Sequence, residues 1–199
     1  MSYAIIGFGA IGQALARAFA RKNLEVAVAS RRAPEALAPQ ARAIGPTITP
    51  KTLASALEAQ TVILAVPFGE HREVAKALAS WQGKTVIDAT NAYGVPIEEL
   101  NGQPSSSVVA SAFPGAHFVK GFNHLPAGTL AGDPNVKGGR RVVFLSGNGG
   151  EDTAKLVAAL AEQLGFAPIW LGRLDEGGAL VQARGRSWGP LIFQDLVKF

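Results

Sequence analysis

Three glycines near the start of the chain, in Gly7-Phe8-Gly9-Ala10-Ile11-Gly12, follow the apolar run Tyr3-Ala-Ile-Ile and precede an alanine-rich helical pattern. A G-x-G-x-x-G spacing between a strand and a helix is suited to holding a pyrophosphate. Gly7 permits the tight turn out of the strand, and Gly9 carries no side chain, so phosphate oxygens can approach the backbone. Gly12 lets the helix pack close to the strand. The first N–H groups of that helix are unpaired and lie at its positive dipole end, facing the phosphates.

The second strand ends in Ser30-Arg31-Arg32, and no carboxylate follows until Glu35. A site for NAD would place an Asp or Glu there, about 20 residues past the glycines, to accept bonds from the ribose hydroxyls. A hydroxyl with two guanidinium forks is the set that a 2′-phosphate needs. The pattern therefore predicts NADP(H) as cofactor, with Gly7, Phe8, Gly9, Ala10, Ile11, Gly12, Ser30, Arg31 and Arg32 around it.

Ligands of open α/β sheets bind outside the carboxyl ends of the strands. The residues expected there are Ala65, Val66 and Pro67, then Ala89 and Asn91, then Asn123, His124, Leu125 and Ala127. Asn91 and Asn123 have amides that suit either a ligand or a turn. Asp88 sits inside an apolar run, where a carboxylate is expected to accept nearby backbone N–H bonds. His124 is the histidine at a strand end near the expected nicotinamide and is the candidate proton donor, with Lys120 beside it. His71 and His117 lack the spacing of metal ligands, so no metal site is predicted.

No acid–base dyad of the kind that reduces a simple alcohol or ketone stands out. An acceptor that is itself a redox ring needs less help, because the cofactor carries the hard chemistry. The leading expectation is hydride transfer between NADP(H) and a flavin or deazaflavin ring, a small-molecule redox acceptor. Two rivals are a reductase of a small carbonyl or imine that uses His124 or Lys120, and a non-catalytic NADPH-binding redox sensor.

Strands are read at Leu24 to Ser30, near Thr47-Ile48, at Thr61 to Val66, Lys84 to Ala89, Phe118 to Phe122, Arg141 to Leu145 and Phe166 to Leu171. Between them Leu53 to Leu57, Glu70 to Trp81 and Asp152 to Leu164 read as helices, while Pro34 and Pro39 punctuate a helix-poor or short-helix stretch. The segment from Pro96 to Ser107 is expected to hold one helical turn, and Asn123 to Gly139 reads as a loop. Continuous apolar runs alternating with helices predict βαβ units, hence an α/β, Rossmann, doubly wound and mostly parallel sheet. Residues 1–199 are expected to form one domain, with a core over 1–150 and a short C-terminal extension over 151–199. That extension would carry a helix, a strand, the Gly185 to Gly189 segment with Trp188, and a closing helix.

The chain has 199 residues, a formal net charge of +4 and no cysteine. Disulfides, thiolate metal sites and cysteine nucleophiles are thereby excluded, and a reducing, cytoplasmic setting is expected. No apolar run reaches the length of a membrane span, and the basic residues form no patch interleaved with aromatics for nucleic acid. No Lys or Arg precedes Arg17 and glycines interrupt the first apolar run, so the N-terminus reads as strand and turn rather than a secretory leader.

These motifs resemble the NADPH-dependent reductases of the deazaflavin coenzyme, within the wider set of dinucleotide-binding oxidoreductases. The similarity is carried by the glycine turn, Ser30-Arg31-Arg32, Ile63-Leu-Ala-Val-Pro67-Phe68 and Val86-Ile-Asp88-Ala-Thr90-Asn91. It continues in Val119-Lys120-Gly-Phe122-Asn123-His124-Leu-Pro126-Ala127, in Gly138 to Gly147 and in Leu164-Gly165-Phe166-Ala-Pro168. The resemblance implies a single Rossmann domain that forms a homodimer. It places the nicotinamide near Val66-Pro67 and His124 to Ala127, with the second ring stacked over it.

Overall fold

Short apolar runs build the sheet. Tyr3–Ile6 (β1), Val26–Ala29 (β2), Ile48–Pro50 (β3), Thr61–Leu64 (β4), Thr85–Asp88 (β5) and His117–Gly121 (β6) pair in parallel in the order β3-β2-β1-β4-β5-β6. The computed structural model describes residues 1–183 and 195–199. Register gives each strand two buried faces: Ile5 aligns with Ile63, Ile63 with Ile87, and Ile87 with Val119. Val62, Val86 and Phe118 align on the opposite face. A strand buried on both sides has no polar alternation, which is why these runs are continuous.

Helices close both faces. Ala10–Arg21 (α1) and Pro34–Ile44 (α2) bury Leu15, Phe19, Leu37 and Ala41 against the Ile5 face. Leu53–Ala56 (α3), His71–Lys76 (α4) and Ser105–Ser111 (α5) place Ala56, Val74 and Val109 against the other. Ala127–Ala131 (α6) and, later, Gly150–Gln163 (α7) return to the first face through Leu130, Val157 and Leu160. This is the doubly wound α/β arrangement, with its switch in strand order between β1 and β4.

Beyond β6 the chain reverses. Asn135–Val136 (β7) pairs antiparallel with Gly139–Gly147 (β8), which runs antiparallel to β6 through Lys120↔Ser146 and parallel to Ala167–Trp170 (β9). Gly177–Leu180 (α8) follows. The closing helix expected at the C-terminus is not seen in the last described residues, where Val197–Lys198 (β10) pairs with Arg140 and Arg141 of β8. Gly185 to Gly189, with Trp188, lies outside the described residues.

Three further elements differ from the sequence reading. The stretch read as helix-poor or short-helix is the full eleven-residue α2. Pro34 takes its first position, where a missing N–H costs nothing, Pro39 is exposed, and Leu37 and Ala41 anchor the buried side. The helix expected to reach Trp81 stops at Lys76, because the buried Trp81 indole donates to the Ala75 carbonyl at 2.9 Å and packs edge-on against Phe113. The loop from Asn123 to Gly139 contains α6 and β7. Among the described residues no helix is long and apolar enough to cross a membrane.

Candidate functional site

The glycine turn has the shape its spacing implies. Gly7 has φ +100°, a left-handed value, and a Cβ there would stand 2.5 Å from the Ala65 carbonyl carbon. At Gly12 a Cβ would come within 2.9 Å of the Gly7 carbonyl carbon and still closer to its oxygen, so α1 and the turn touch backbone to backbone. A Cβ on Gly9 would meet nothing within 4 Å. Gly9 is also the N-cap of α1 and supplies no capping side chain, so the first N–H groups of the helix have no side-chain cap. Exposed Ala10 and half-buried Ile11 form that first turn. An uncapped helix end beside an empty cradle is the geometry that fits a phosphate.

A cavity of about 590 Å³ opens at this edge of the sheet. It is walled by Gly7, Phe8, Gly9, Ser30, Arg31, Arg32, Ala65, Val66 and Pro67, all singled out from the sequence. Ile6 and Gly69 complete it with Leu53, Glu70, Glu73 and Val74, and sequence reasoning missed the last four. They come from crossover segments that spacing alone does not bring to the glycine turn. The Ser30 hydroxyl accepts the Arg32 backbone N–H at 3.0 Å, shaping the turn, and the Arg32 guanidinium donates to the Gln40 amide oxygen at 3.3 Å. Arg31 reaches across to Glu70, Nη1 to Oε1 at 2.8 Å.

The remaining candidates lie on the ends of β5 and β6. Asn91 donates to the Asn123 carbonyl at 2.8 Å, and Asn123 Nδ2 donates to Asn91 Oδ1 at 3.1 Å and to the Val181 carbonyl at 2.7 Å. Asn123 Oδ1 is buried and has no partner among the described residues. Phe122, just before it, has φ +61°, a strained value for a bulky side chain and one that marks functional turns. Ala89 is buried on the same edge, Leu125 lies in the core, and Ala127 opens α6.

Lys120 and His124 are fully buried. The Lys120 ammonium pairs with Asp88 Oδ2 at 3.0 Å and donates to the Thr90 carbonyl, while Asp88 Oδ1 accepts the Thr90 N–H at 2.8 Å. His124 packs against the Phe144 ring at 4.8 Å, and neither ring nitrogen has a hydrogen-bond partner among the described residues. Neither side chain lines the cavity at the glycine turn. A larger cavity of about 900 Å³ lies at the opposite edge of the sheet, between α5, the start of α7 and Trp170. Its Arg173 and Asp175 satisfy one another at 2.9 Å.

Known proteins share this fold. Residues 2–92 match the model of a family described as NADP oxidoreductase, coenzyme F420-dependent. A solved structure of a hypothetical protein from Sinorhizobium meliloti is 40% identical, with TM-score 0.92, covering 100% of this chain and 96% of that one. A second, from Arthrobacter sp., whose description assigns it as an F420-dependent NADP-reductase, is 26% identical with TM-score 0.73, covering 87% and 86%. The chain is an NADP-dependent oxidoreductase whose residues 2–92 match that family. A reductive aminase from Aspergillus terreus, solved with NADPH and ethyl-5-oxohexanoate, shares the fold at 22% identity and TM-score 0.65, covering 88% of this chain and 56% of that one. No curated protein matches the chain.

In this chain burial pushes the His124 imidazole down to about 4; the Val142 backbone and the Asp195 carboxylate pull upward without offsetting it. His124 is therefore neutral at physiological pH. Among the described residues no group of three or more His, Asp or Glu side chains is arranged to hold a metal ion.

Proposed function

We propose that this NADP-dependent oxidoreductase transfers a hydride between NADP(H) and a flavin-like or deazaflavin ring. The observation that carries the reading is the 590 Å³ cavity at the switch in strand order, where Gly9 leaves a cradle open under the uncapped α1 terminus. There the backbone N–H groups of Ala10, Ile11 and Gly12 hold the pyrophosphate, while Ser30, Arg31 and Arg32 hold the 2′-phosphate. NADPH supplies the hydride, and the acceptor ring takes it together with a proton from water.

Ala65, Val66, Pro67 and Ala89 offer a flat, largely apolar edge for the nicotinamide. The free Asn123 Oδ1 accepts a carboxamide N–H, and the reciprocal Asn91–Asn123 pair fixes its direction. Leu125 and Ala127 support that turn from below. The buried state of Lys120 and His124 supports a ring acceptor over a carbonyl or imine, which would need a positioned proton donor. In this reading Lys120 and His124 hold loops. The protein works as a cytoplasmic homodimer, the state implied by its resemblance to the deazaflavin reductases.

The test is anaerobic. Purified protein is mixed with NADPH, and absorbance is followed on adding the oxidised deazaflavin coenzyme, then FMN. Rapid loss of NADPH with the deazaflavin is expected. Tight NADPH binding with turnover of cyclic imines and none with either ring would overturn the acceptor assignment. Sedimentation of the same sample checks the dimer.

A further inference from the structure

We infer that Glu70 sets the affinity of the site for the 2′-phosphate by competing for Arg31; the inference rests on the NADPH reading. Arg31 and Glu70 line one cavity from opposite sides, the first after β2 and the second after β4, and their side chains meet across it at 2.8 Å. The Arg31 side chain is 85% exposed and the Glu70 side chain 29%. Glu70 is the fixed post of the pair. Its N–H donates to the Pro67 carbonyl at 2.9 Å, and the turn is pinned by buried Phe68, whose carbonyl meets His71 Nδ1 at 2.5 Å. Arg31 is the arm.

The neighbouring charges are accounted for differently. Arg32 is tied to Gln40, and Glu73, which also lines the cavity, pairs with Lys76 at 2.8 Å. Glu70 is thus the carboxylate on this wall that faces the arginine. An arriving 2′-phosphate must take Arg31 from Glu70 and then sits beside the carboxylate it displaced. The neutral 2′-hydroxyl of NADH makes no such exchange. Glu70 therefore weakens NADPH binding and leaves NADH binding alone. The consequence is faster release of spent NADP⁺, the step that limits many oxidoreductases.

The experiment measures Kd for NADPH and NADH by quenching of protein fluorescence in wild type, Glu70→Gln, Glu70→Ala, Arg31→Ala and the Arg31→Ala/Glu70→Gln double variant. Removing one charge in a solvated site is expected to tighten NADPH about fivefold. NADH should shift less than about twofold, and in the Arg31→Ala background the NADPH gain should fall to about twofold or less. Unchanged or weaker NADPH binding in both Glu70 variants, or equal tightening of NADH, would overturn the latch while leaving the cofactor reading intact. A wild-type chain that binds neither nucleotide would overturn both.

Discussion

Replacing Lys120 by Met separates a lysine that holds the fold from one that moves protons. The ammonium is fully buried, 3.0 Å from Asp88, and bonded to the Thr90 carbonyl. Methionine keeps most of the hydrocarbon stem but strands the Asp88 carboxylate with only the Thr90 N–H. Breaking one side of a buried pair costs about 3–5 kcal/mol, a large part of the roughly 5–15 kcal/mol that holds a domain folded. At about 2–4 °C per kcal/mol for a domain of this size, the Tm should fall by roughly 6–20 °C. The double change Lys120→Met/Asp88→Asn removes the stranded charge while keeping an acceptor for Thr90, and should recover at least half of the loss. Circular dichroism melts read the stability, and NADPH oxidation at low temperature reads the chemistry, which should stay within about threefold of wild type. A Tm change under about 2 °C with a hundredfold or greater loss of turnover is the signature of a general acid and would refute the structural role.

The glycines give a paired test. Gly9→Ala adds a methyl into space with nothing within 4 Å, so its Tm should match wild type while NADPH binding drops at least about tenfold, because the methyl stands where phosphate must lie. Gly12→Ala drives a methyl into the Gly7 carbonyl and should cost about 1–3 kcal/mol of stability by overpacking, as well as affinity, measured by urea unfolding and nucleotide titration. His124 yields a pH dependence. Its folded value of about 4 lies below the unfolded value of about 6.5, so the unfolded chain takes up the proton first and stability is lost as pH falls from about 6.5 to 4. Wild type should lose on the order of 3 kcal/mol more than His124→Leu across that window in urea melts, and parallel losses would mean that the imidazole is not buried as described.

The parallel strands were legible because burial on both faces leaves continuous apolar runs, and the glycine turn because its requirements are local backbone ones. Helix α2 was hidden by Pro34 and Pro39, since a proline reads as a breaker unless its position in the first turn and on the exposed side is known. The short helices α6 and α8 owe their form to tertiary packing, and four or five residues carry too little periodicity to declare it. In the site, Ser30, Arg31 and Arg32 were legible from their distance to the glycines. Glu70 was not, because its meeting with Arg31 depends on how two crossovers return to one edge. The burial of Lys120 had a signal that spacing could have revealed. Asp88 and Lys120 each stand two residues past a buried apolar residue, Val86 and Phe118, so a parallel register must bring them face to face.

That register has a functional consequence. Asp88, Lys120 and Ser146 are successive cross-strand neighbours on β5, β6 and β8, one step inside the edge where Asn91 and Asn123 meet. The ionisable pair therefore lies beneath the site, where its bonds to Thr90 hold the β5 loop at fixed height. Among the described residues the ends of β5 and β6 bring backbone, two amides, small apolar side chains and the exposed Tyr93 to that edge. Such a surface can hold two flat rings in register and exclude water, and it offers no buried charge to either ring. A hydride crossing between two redox rings needs that positioning more than it needs an acid or a base. The placement of one ion pair below the edge, rather than on it, is consistent with the ring acceptor proposed above.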